Sequence, residues 1–321
     1  MILLTGAAGF IGSYIAGMLN AAGRDDLVLV DDFKRSAKQA NLQNKRYQYK
    51  VEREQLWNWL EKEAPSLDYV LHLGARTDTA EQDVQLFDHL NLHYSQRIWA
   101  YCTQHQIPLV YASSAATYGD GSLGFLDDHE LIPKLEPLNP YGWSKQQFDL
   151  WVLTQAEAPP VWQGLKFFNV YGPNEYHKGR MASVIFHTYG QIMKTGQMRL
   201  FRSHREDYAD GEQKRDFVYV QDLGRVIRFL MEAQPQSGIY NLGSGQARTF
   251  NDLVHSVFAS LGRSPKVQYI DTPIDIRAAY QYYTEADMRK LKSLGYEADF
   301  TILEAGVREY VQQFLSLGKY Y

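Results

Sequence analysis

The sequence predicts an α/β fold: a doubly wound parallel sheet with helices on both faces, and a smaller C-terminal α/β lobe. Three observations carry this. Short continuous apolar runs alternate with amphipathic stretches at helical spacing, a glycine-rich turn joins the first run to the first helical stretch, and the chain changes character after residue 170. At 321 residues there is room for about two domains of ~150 residues each.

The elements follow in order. Met1-Ile2-Leu3-Leu4-Thr5 is a first strand, and the uninterrupted apolar character marks burial on both faces. Ser13 to Ala22 reads as a helix, with Ile15, Met18 and Leu19 at helical spacing. Leu27-Val28-Leu29-Val30 is the second strand, ended by Asp31-Asp32. Tyr69–Leu73, Leu109–Ala112 and Leu165–Val170 are further strands, separated by helical patterns at Gln55–Lys62, Asn91–Gln104 and Tyr141–Ala156. Residues 172–216 read as polar and loop-rich, with solvated charge runs at 204–207 and 210–216. Short strands at Phe217–Val220 and Gly238–Gly243 and helices at Phe250–Leu261 and Thr301–Leu317 complete the chain. The expected division is 1–171 plus 217–244 for a Rossmann-type nucleotide-binding domain, and 172–216 plus 245–321 for a substrate-binding lobe.

Composition excludes several functions. Lys plus Arg is 33 and Asp plus Glu is 37, a net charge of −4, which is no electrostatic footprint for nucleic acid or an anionic membrane surface. The single cysteine, Cys102, cannot form an intramolecular disulfide and rules out a cysteine metal cluster. No apolar run approaches the roughly 18 residues of a membrane span, and no leader pattern precedes the first strand. The expected location is the cytoplasm. His89 and His93 stand four apart, but no third ligand is placed near them, so no metal is expected. The acidic group Asp127-Asp128-His129-Glu130 reads as loop surface.

Gly6, Gly9 and Gly12 form G-x-x-G-x-x-G between strand and helix. Glycines there allow a tight turn, close approach of backbone to a pyrophosphate, and tight helix–strand packing. The helix N-terminus adds free N–H groups and partial positive charge. Asp31 ends the next strand 19 residues beyond Gly12, about the spacing of a ribose-binding acid. An acid there selects NAD, whereas Lys34, Arg35 and Lys38 directly after it suit the extra phosphate of NADP. Both cofactors stay open on these residues.

Tyr141 and Lys145 stand four apart, on one face of a predicted helix. A phenol, with its ordinary pKa near ~10, is a poor base at neutral pH unless a nearby positive charge favours the phenolate. Ser113 and Ser114 leave a strand end with hydroxyls placed to hold a substrate oxygen.

These residues carry a resemblance. Thr5-Gly6-Ala7-Ala8-Gly9-Phe10-Ile11-Gly12, Ser113-Ser114, Tyr141 with Lys145, and Arg215-Asp216-Phe217-Val218 resemble the extended short-chain dehydrogenase/reductase family of NAD-dependent epimerases and dehydratases. Tyr111–Gly119, Phe168–Pro173, His177-Lys178-Gly179 with Met181-Ala182-Ser183, and Lys214–Val220 are similar to its branch acting on ADP-activated heptoses. The resemblance runs over nearly the whole chain. It implies epimerisation at C6″ of an ADP-heptose through a transient 6-ketone, with NADP (or NAD) as hydride carrier, in lipopolysaccharide inner-core synthesis. It implies Tyr141 and Lys178 as the two proton carriers, with Lys145 lowering the Tyr141 pKa and holding the cofactor ribose, and Ser114 orienting the substrate. Phe10, Ile11, Asp32, Lys38, Arg53, Leu73, Gly74, Ala75, Asn91 and Val170 are then further cofactor contacts. Asn169, His187, Arg215 and Tyr280 are implied substrate contacts. Arg180, Phe201, Arg202, Ser203 and His204 stand at substrate positions too, but Arg180 and residues 202–204 depart from the family pattern. A homo-oligomer, with a pentamer among the family's forms, is also implied.

Rival readings remain. A UDP-hexose 4-epimerase shares Tyr141 and Lys145 but has no use for Lys178. A 4,6-dehydratase needs an acidic pair where this chain has Ala115, Ala116 and Thr117. A non-enzymatic NADP sensor would not need the Tyr141–Lys145 pair.

Overall fold

The structure is a computed structural model describing residues 1–277 and 280–321, with the backbone alone at 275 and 276. Its centre is a seven-stranded parallel sheet. The strands are β1 (Ile2–Thr5), β2 (Leu27–Asp31), β3 (Tyr49–Glu52), β4 (Tyr69–His72), β5 (Leu109–Ser114), β6 (Trp162–Phe167) and β10 (Gly238–Leu242), in the order β10-β6-β5-β4-β1-β2-β3. Successive side chains of a strand point to opposite faces. Ile2 and Leu4 accordingly enter one core with Leu27, Leu29 and Leu71, while Leu3 enters the other with Val28, Val30 and Val70.

Helices cover both faces. On the first lie α1 (Phe10–Ala21), through Ile15 and Leu19, and α7 (Val220–Ala233), through Leu223, Val226, Ile227 and Leu230. On the second lie α2 (Leu56–Glu63), α4 (Tyr94–Gln104) and α5 (Pro140–Leu153), through Leu56, Ile98, Trp99, Phe148 and Val152. A short α3 (Val84–Phe87) leads into α4 through a π-helical turn at Asp88–His93. Each of these fully buried side chains stabilises the fold by about 1.5–3 kcal/mol. Cys102 is buried in the second core, where burial pushes its thiol up.

Leu165–Val170 is not one strand. β6 ends at Phe167, where the chain leaves the large sheet, and β7 (Asn169–Tyr171) pairs with β9 (Lys214–Tyr219), which pairs in turn with β11 (Ala247–Thr249). Apolar residues continue from β6 through Phe168 to Val170 and Tyr171, with only Asn169 exposed between them, so composition does not mark the break.

Residues 172–216, expected as loops, contain α6 (Val184–Thr195) and β8 (Met198–Phe201), the latter paired with β12 (Val267–Ile270). Ser183 caps α6 by accepting the Phe186 N–H at 3.2 Å, and Ile185, Thr188 and Ile192 form its buried stripe. Three buried positions in twelve are too few to stand out beside the charged runs that follow. α8 (Phe250–Ser260) is where the apolar spacing places it. The last predicted helix divides into α11 (Leu303–Glu309) and tighter or wider turns through Leu317. Between them lie α9 (Ile274–Arg277) and α10 (Arg289–Ser293).

The acidic loop group is not all surface. Asp127 is buried and accepts the Asn241 N–H at 2.8 Å, and His129 Nε2 accepts the Ile239 N–H at 3.0 Å. The pair staples this loop to the edge strand β10, using backbone donors that β10 would otherwise bury unpaired. Among the described residues no helix is long and apolar enough to cross a membrane, and no group of three or more His, Cys, Asp or Glu could hold a metal ion.

Candidate active site

The site lies beyond the C-terminal ends of β1, β4, β5 and β6, where open parallel sheets leave a crevice. The glycine turn forms its floor. A Cβ on Gly12 would stand 2.1 Å from the Gly6 carbonyl oxygen, and one on Gly6 would stand 2.7 Å from Gly74 Cα. Any side chain at either position would push the turn off the strand ends. Gly9 precedes α1 with no side-chain cap, so the first N–H groups of this helix remain available to an anion.

Asp31 is buried at the tip of β2. One of its oxygens accepts the Ala8 N–H at 2.9 Å, and the other accepts from the Asp32 N–H at 2.7 Å and the Lys38 ammonium at 2.8 Å. Asp32 pairs with Arg35 at 3.0 Å. Asn41, not foreseen from sequence, donates to the Ala8 carbonyl at 2.9 Å and sits 3.1 Å from His177 Nδ1, while its own carboxamide oxygen is buried with no partner among the described residues. A glycine cradle closed to any Cβ, an uncapped helix start, an acid at the second strand and an unpaired buried oxygen fit an adenine dinucleotide. Gly6, Gly9 and Gly12 would face its pyrophosphate, with Asp31 and Lys38 at the ribose end. Arg53 lies farther out and pairs with Glu54 at 2.7 Å.

A cleft of about 350 Å³ continues from this cradle. Phe10, Ile11, Leu73, Ala75, Ser114, Tyr141, Lys145, Asn169, Val170, Lys178 and Arg215 all line it. Asn139 caps α5 by accepting the Gly142 N–H at 2.8 Å, with Pro140 preset for the first helical position. That cap sets Tyr141 in the first helical turn and Lys145 one turn on. Burial pushes the Tyr141 phenol above its ordinary value, while the Ser114 hydroxyl beside it acts in the opposite direction. The Lys145 ammonium donates to the Ala112 carbonyl at 2.7 Å, and burial pulls it down to about 8. The lowering of Tyr141 by Lys145 is therefore not seen in the protein alone, where burial governs both groups.

Lys178 comes from a separate segment, the turn Tyr176–Met181 after β7. Its Nζ lies 5.3 Å from the centre of the Phe10 ring. Burial lowers it, and the nearby Glu175 carboxylate opposes that shift. Beyond it, the Arg215 guanidinium lies over the rings of Phe250 (5.8 Å) and Tyr280 (5.5 Å), and it donates to the Gln281 carbonyl. Burial brings its guanidinium down to about 10, still charged at neutral pH. Phe201 packs on Tyr280 with ring centres 6.4 Å apart. In the segment 277–280, Ala278 and Ala279 lie outside the described residues.

Other expected contacts are not brought into the cleft. The Asn91 carboxamide is taken up by the Arg76 backbone at 2.7 and 2.9 Å and by Ser144 at 2.9 Å. His187 faces an outer groove beside Phe186 and Tyr189. Arg180 pairs with Asp78 at 2.8 Å, joining the Lys178 turn to the loop after β4. Arg202 pairs with Asp271 at 3.3 Å, Ser203 binds the Arg205 backbone, and the His204 N–H donates to the Tyr282 hydroxyl at 2.9 Å. Arg202 and His204 thus tie this segment to residues 269–272 and to Tyr282.

Residues missed from sequence include Thr77, Thr79 and Phe250, which line the cleft without any motif to mark them. Asp149 was within reach. It stands one helical turn past Lys145 on the same face, wholly buried, and accepts from Ser113 at 2.6 Å, Tyr111 at 3.2 Å and Lys166 at 2.7 Å.

The cradle and the Tyr–Lys helix define a nicotinamide-dinucleotide-dependent protein. A family model described as "NAD dependent epimerase/dehydratase family" matches residues 2–243, and the chain belongs to that family. It is 48% identical over 318 residues to the ADP-L-glycero-D-manno-heptose-6-epimerase of Nitratidesulfovibrio vulgaris, covering 98% of each chain. Among solved structures it is similar to the Helicobacter pylori ADP-L-glycero-D-manno-heptose-6-epimerase (TM-score 0.80, 29% identity, 97% of this chain and 95% of that one). It is also similar to the Thermus thermophilus UDP-glucose 4-epimerase in complex with NAD (TM-score 0.78, 26% identity, 98% of each).

Proposed function

We propose that the chain epimerises C6″ of ADP-D-glycero-β-D-manno-heptose to the L-glycero form, using NADP, in the cytoplasmic supply of lipopolysaccharide inner-core precursor. The carrying observation is that Tyr141 and Lys178, from elements far apart in sequence, line one cleft with Lys145 and Ser114. The nicotinamide, when bound, supplies a hydride acceptor and donor. The chain's own residues handle the protons and the orientation. Inverting a carbinol centre requires a proton to leave the C6″ hydroxyl, the resulting 6-ketone to turn its other face, and a proton to return to that oxygen. One proton carrier serves one orientation of the oxygen; two serve both. Tyr141 and Lys178 fill these roles, and Ser114 hydrogen-bonds the C6″ oxygen between them. Lys145 holds the cofactor ribose and adds positive charge beside the phenol, favouring the phenolate. Arg215, over the rings of Phe250 and Tyr280, grips the ADP diphosphate as a charged fork beside rings that accept the adenine.

NADP over NAD is supported by the state of Asp31, whose charge already meets two N–H donors and Lys38, which offsets its repulsion of a 2′-phosphate. Mass measurement of the nucleotide released on denaturing the purified protein tests this. A homo-oligomer, such as a pentamer, is tested by sedimentation.

NMR of the C6″ proton with purified protein and ADP-D-glycero-β-D-manno-heptose tests the reaction. Conversion with ADP-heptose and none with UDP-glucose is expected, and product from UDP-glucose alone overturns the heptose reading. Tyr141→Phe and Lys178→Met should each lose about 10²–10⁴-fold in kcat, the usual worth of a general acid or base. Full activity in either variant removes that residue from the reaction.

A further inference from the structure

Burial pushes the Glu175 carboxyl above its ordinary value, and hydrogen bonds from Ser183 and the nearby Lys178 charge oppose that shift. Glu175 is wholly buried, and it makes no ion pair within 4.0 Å among the described residues. A buried charge persists only where hydrogen bonds, dipoles or nearby charges compensate it. Two of its partners belong to Ser183, whose N–H lies at 2.5 Å from one carboxylate oxygen and whose hydroxyl donates to the other at 2.7 Å. Ser183 is also the cap of the twelve-residue α6, so the carboxylate adjoins the positive end of that helix. The nearby cation is Lys178, on the turn that the Glu175 carbonyl itself anchors by accepting the Lys178 N–H at 2.9 Å. Lys178 in turn has no carboxylate within ion-pair distance among the described residues, and it faces the cleft over Phe10.

We propose that Glu175 is a positioning residue for Lys178: clamped to the Ser183 cap, it locks the 176–181 turn to α6 and sets a negative charge behind the Lys178 ammonium. Other titratable groups around this pair are His177, Tyr176 and Tyr310, with Lys38 and Asp31 beyond His177. Burial holds His177 down at about 4, so it is neutral at working pH. The Tyr176 and Tyr310 phenols are pushed up by burial and stay protonated. Lys38 is engaged by Asp31. Glu175 is therefore the charge whose removal acts on Lys178.

The inference rests on Lys178 being a proton carrier, and two readouts keep the questions apart. In the purified full chain, lysine amines are converted to ¹³C-dimethylamines and titrated by NMR. The Lys178 signal is assigned by its loss in Lys178→Met. Glu175→Gln should lower the Lys178 midpoint by about one pH unit, because an opposite charge favours the ammonium; an unmoved midpoint overturns the proposal. In turnover, Glu175→Gln should lose about ten-fold in kcat with KM within about two-fold, and Glu175→Asp should recover part of it. In a Lys178→Met background Glu175→Gln should add no further loss, whereas losses that multiply overturn the proposal. Should Glu175→Gln fail to fold, Glu175→Asp carries the titration. Drawn back by a methylene, its charge should move the midpoint in the same direction, and no movement again overturns the proposal. Full activity in Lys178→Met alone defeats the role of Lys178 while leaving the titration to decide the coupling.

Discussion

Lys166→Met is the sharpest test of how the helix that carries Tyr141 and Lys145 is held. Lys166 and Asp149 are both wholly buried and 2.7 Å apart. The ammonium also donates to Thr117 Oγ1 at 2.7 Å and lies 5.3 Å from the centre of the Tyr118 ring. Methionine has nearly the volume and reach of lysine, so the change removes a charge without opening a cavity. Asp149 then keeps only the Ser113 and Tyr111 hydroxyls. Breaking one side of a buried ion pair costs about 3–5 kcal/mol, because the remaining charge is uncompensated. At about 1.4 kcal/mol per factor of ten, the folding constant falls by roughly 10²–10³·⁵. For a chain of this length each kcal/mol corresponds to about 2 °C, so Tm should drop by roughly 6–10 °C. Urea denaturation followed by circular dichroism measures the free energy directly. Asp149→Asn combined with Lys166→Met should recover at least half of the loss, since neutral partners need no counter-charge. A single-variant loss below about 1 kcal/mol, or a double variant less stable than Lys166→Met alone, would refute the reasoning.

Three further outcomes follow from the geometry. Gly12→Ala should yield a folded protein that no longer retains nucleotide through gel filtration, because its Cβ would stand 2.1 Å from the Gly6 oxygen; retention at the parent level contradicts the cradle. With Lys145 brought down to about 8 by burial, kcat/KM should fall as the pH rises through about 8, where the ammonium is lost. Lys145→Met should lose at least ten-fold in kcat/KM at pH 7 and show no such limb; a limb that persists belongs to another group. His72, buried between Thr5 Oγ1 (2.7 Å) and Ser95 Oγ (2.9 Å), is held down to about 3 by burial. The unfolded chain takes up a proton there below about pH 6.5 and the folded chain does not, so stability present at pH 7 is lost on acidification. The loss is at most about 1.4 kcal/mol per pH unit for this group. His72→Gln should flatten the measured slope between pH 6.5 and 4, and an unchanged slope excludes His72 as its source.

Legibility from sequence tracked the distance over which each feature is decided. The glycine turn, Asp31 and the Tyr141–Lys145 pair are local: a strand, a turn or one helical turn contains all their parts, and both periods are written in the residue order. Helix α6 was lost among charged neighbours because its buried stripe is narrow, and Asp127 read as surface because the β10 backbone it satisfies lies over a hundred residues away. Asn91 and His187 stand at family contact positions, yet nearby backbone or an outer groove takes them up instead.

By itself, then, the order of residues determined a doubly wound parallel sheet, a phosphate-binding turn and a phenol one helical turn from an amine. Those follow from periodicity, from the lack of a Cβ and from side-chain chemistry, all of which act within a few residues. Only the tertiary structure decided that Lys178 meets Tyr141 in one cleft, that Arg215 lies over both Phe250 and Tyr280, and that the Glu175 and Asp149 carboxyl groups are wholly buried. Such meetings depend on how sheet, turn and lobe pack, and a charge buried between elements is permitted only by partners that packing brings to it.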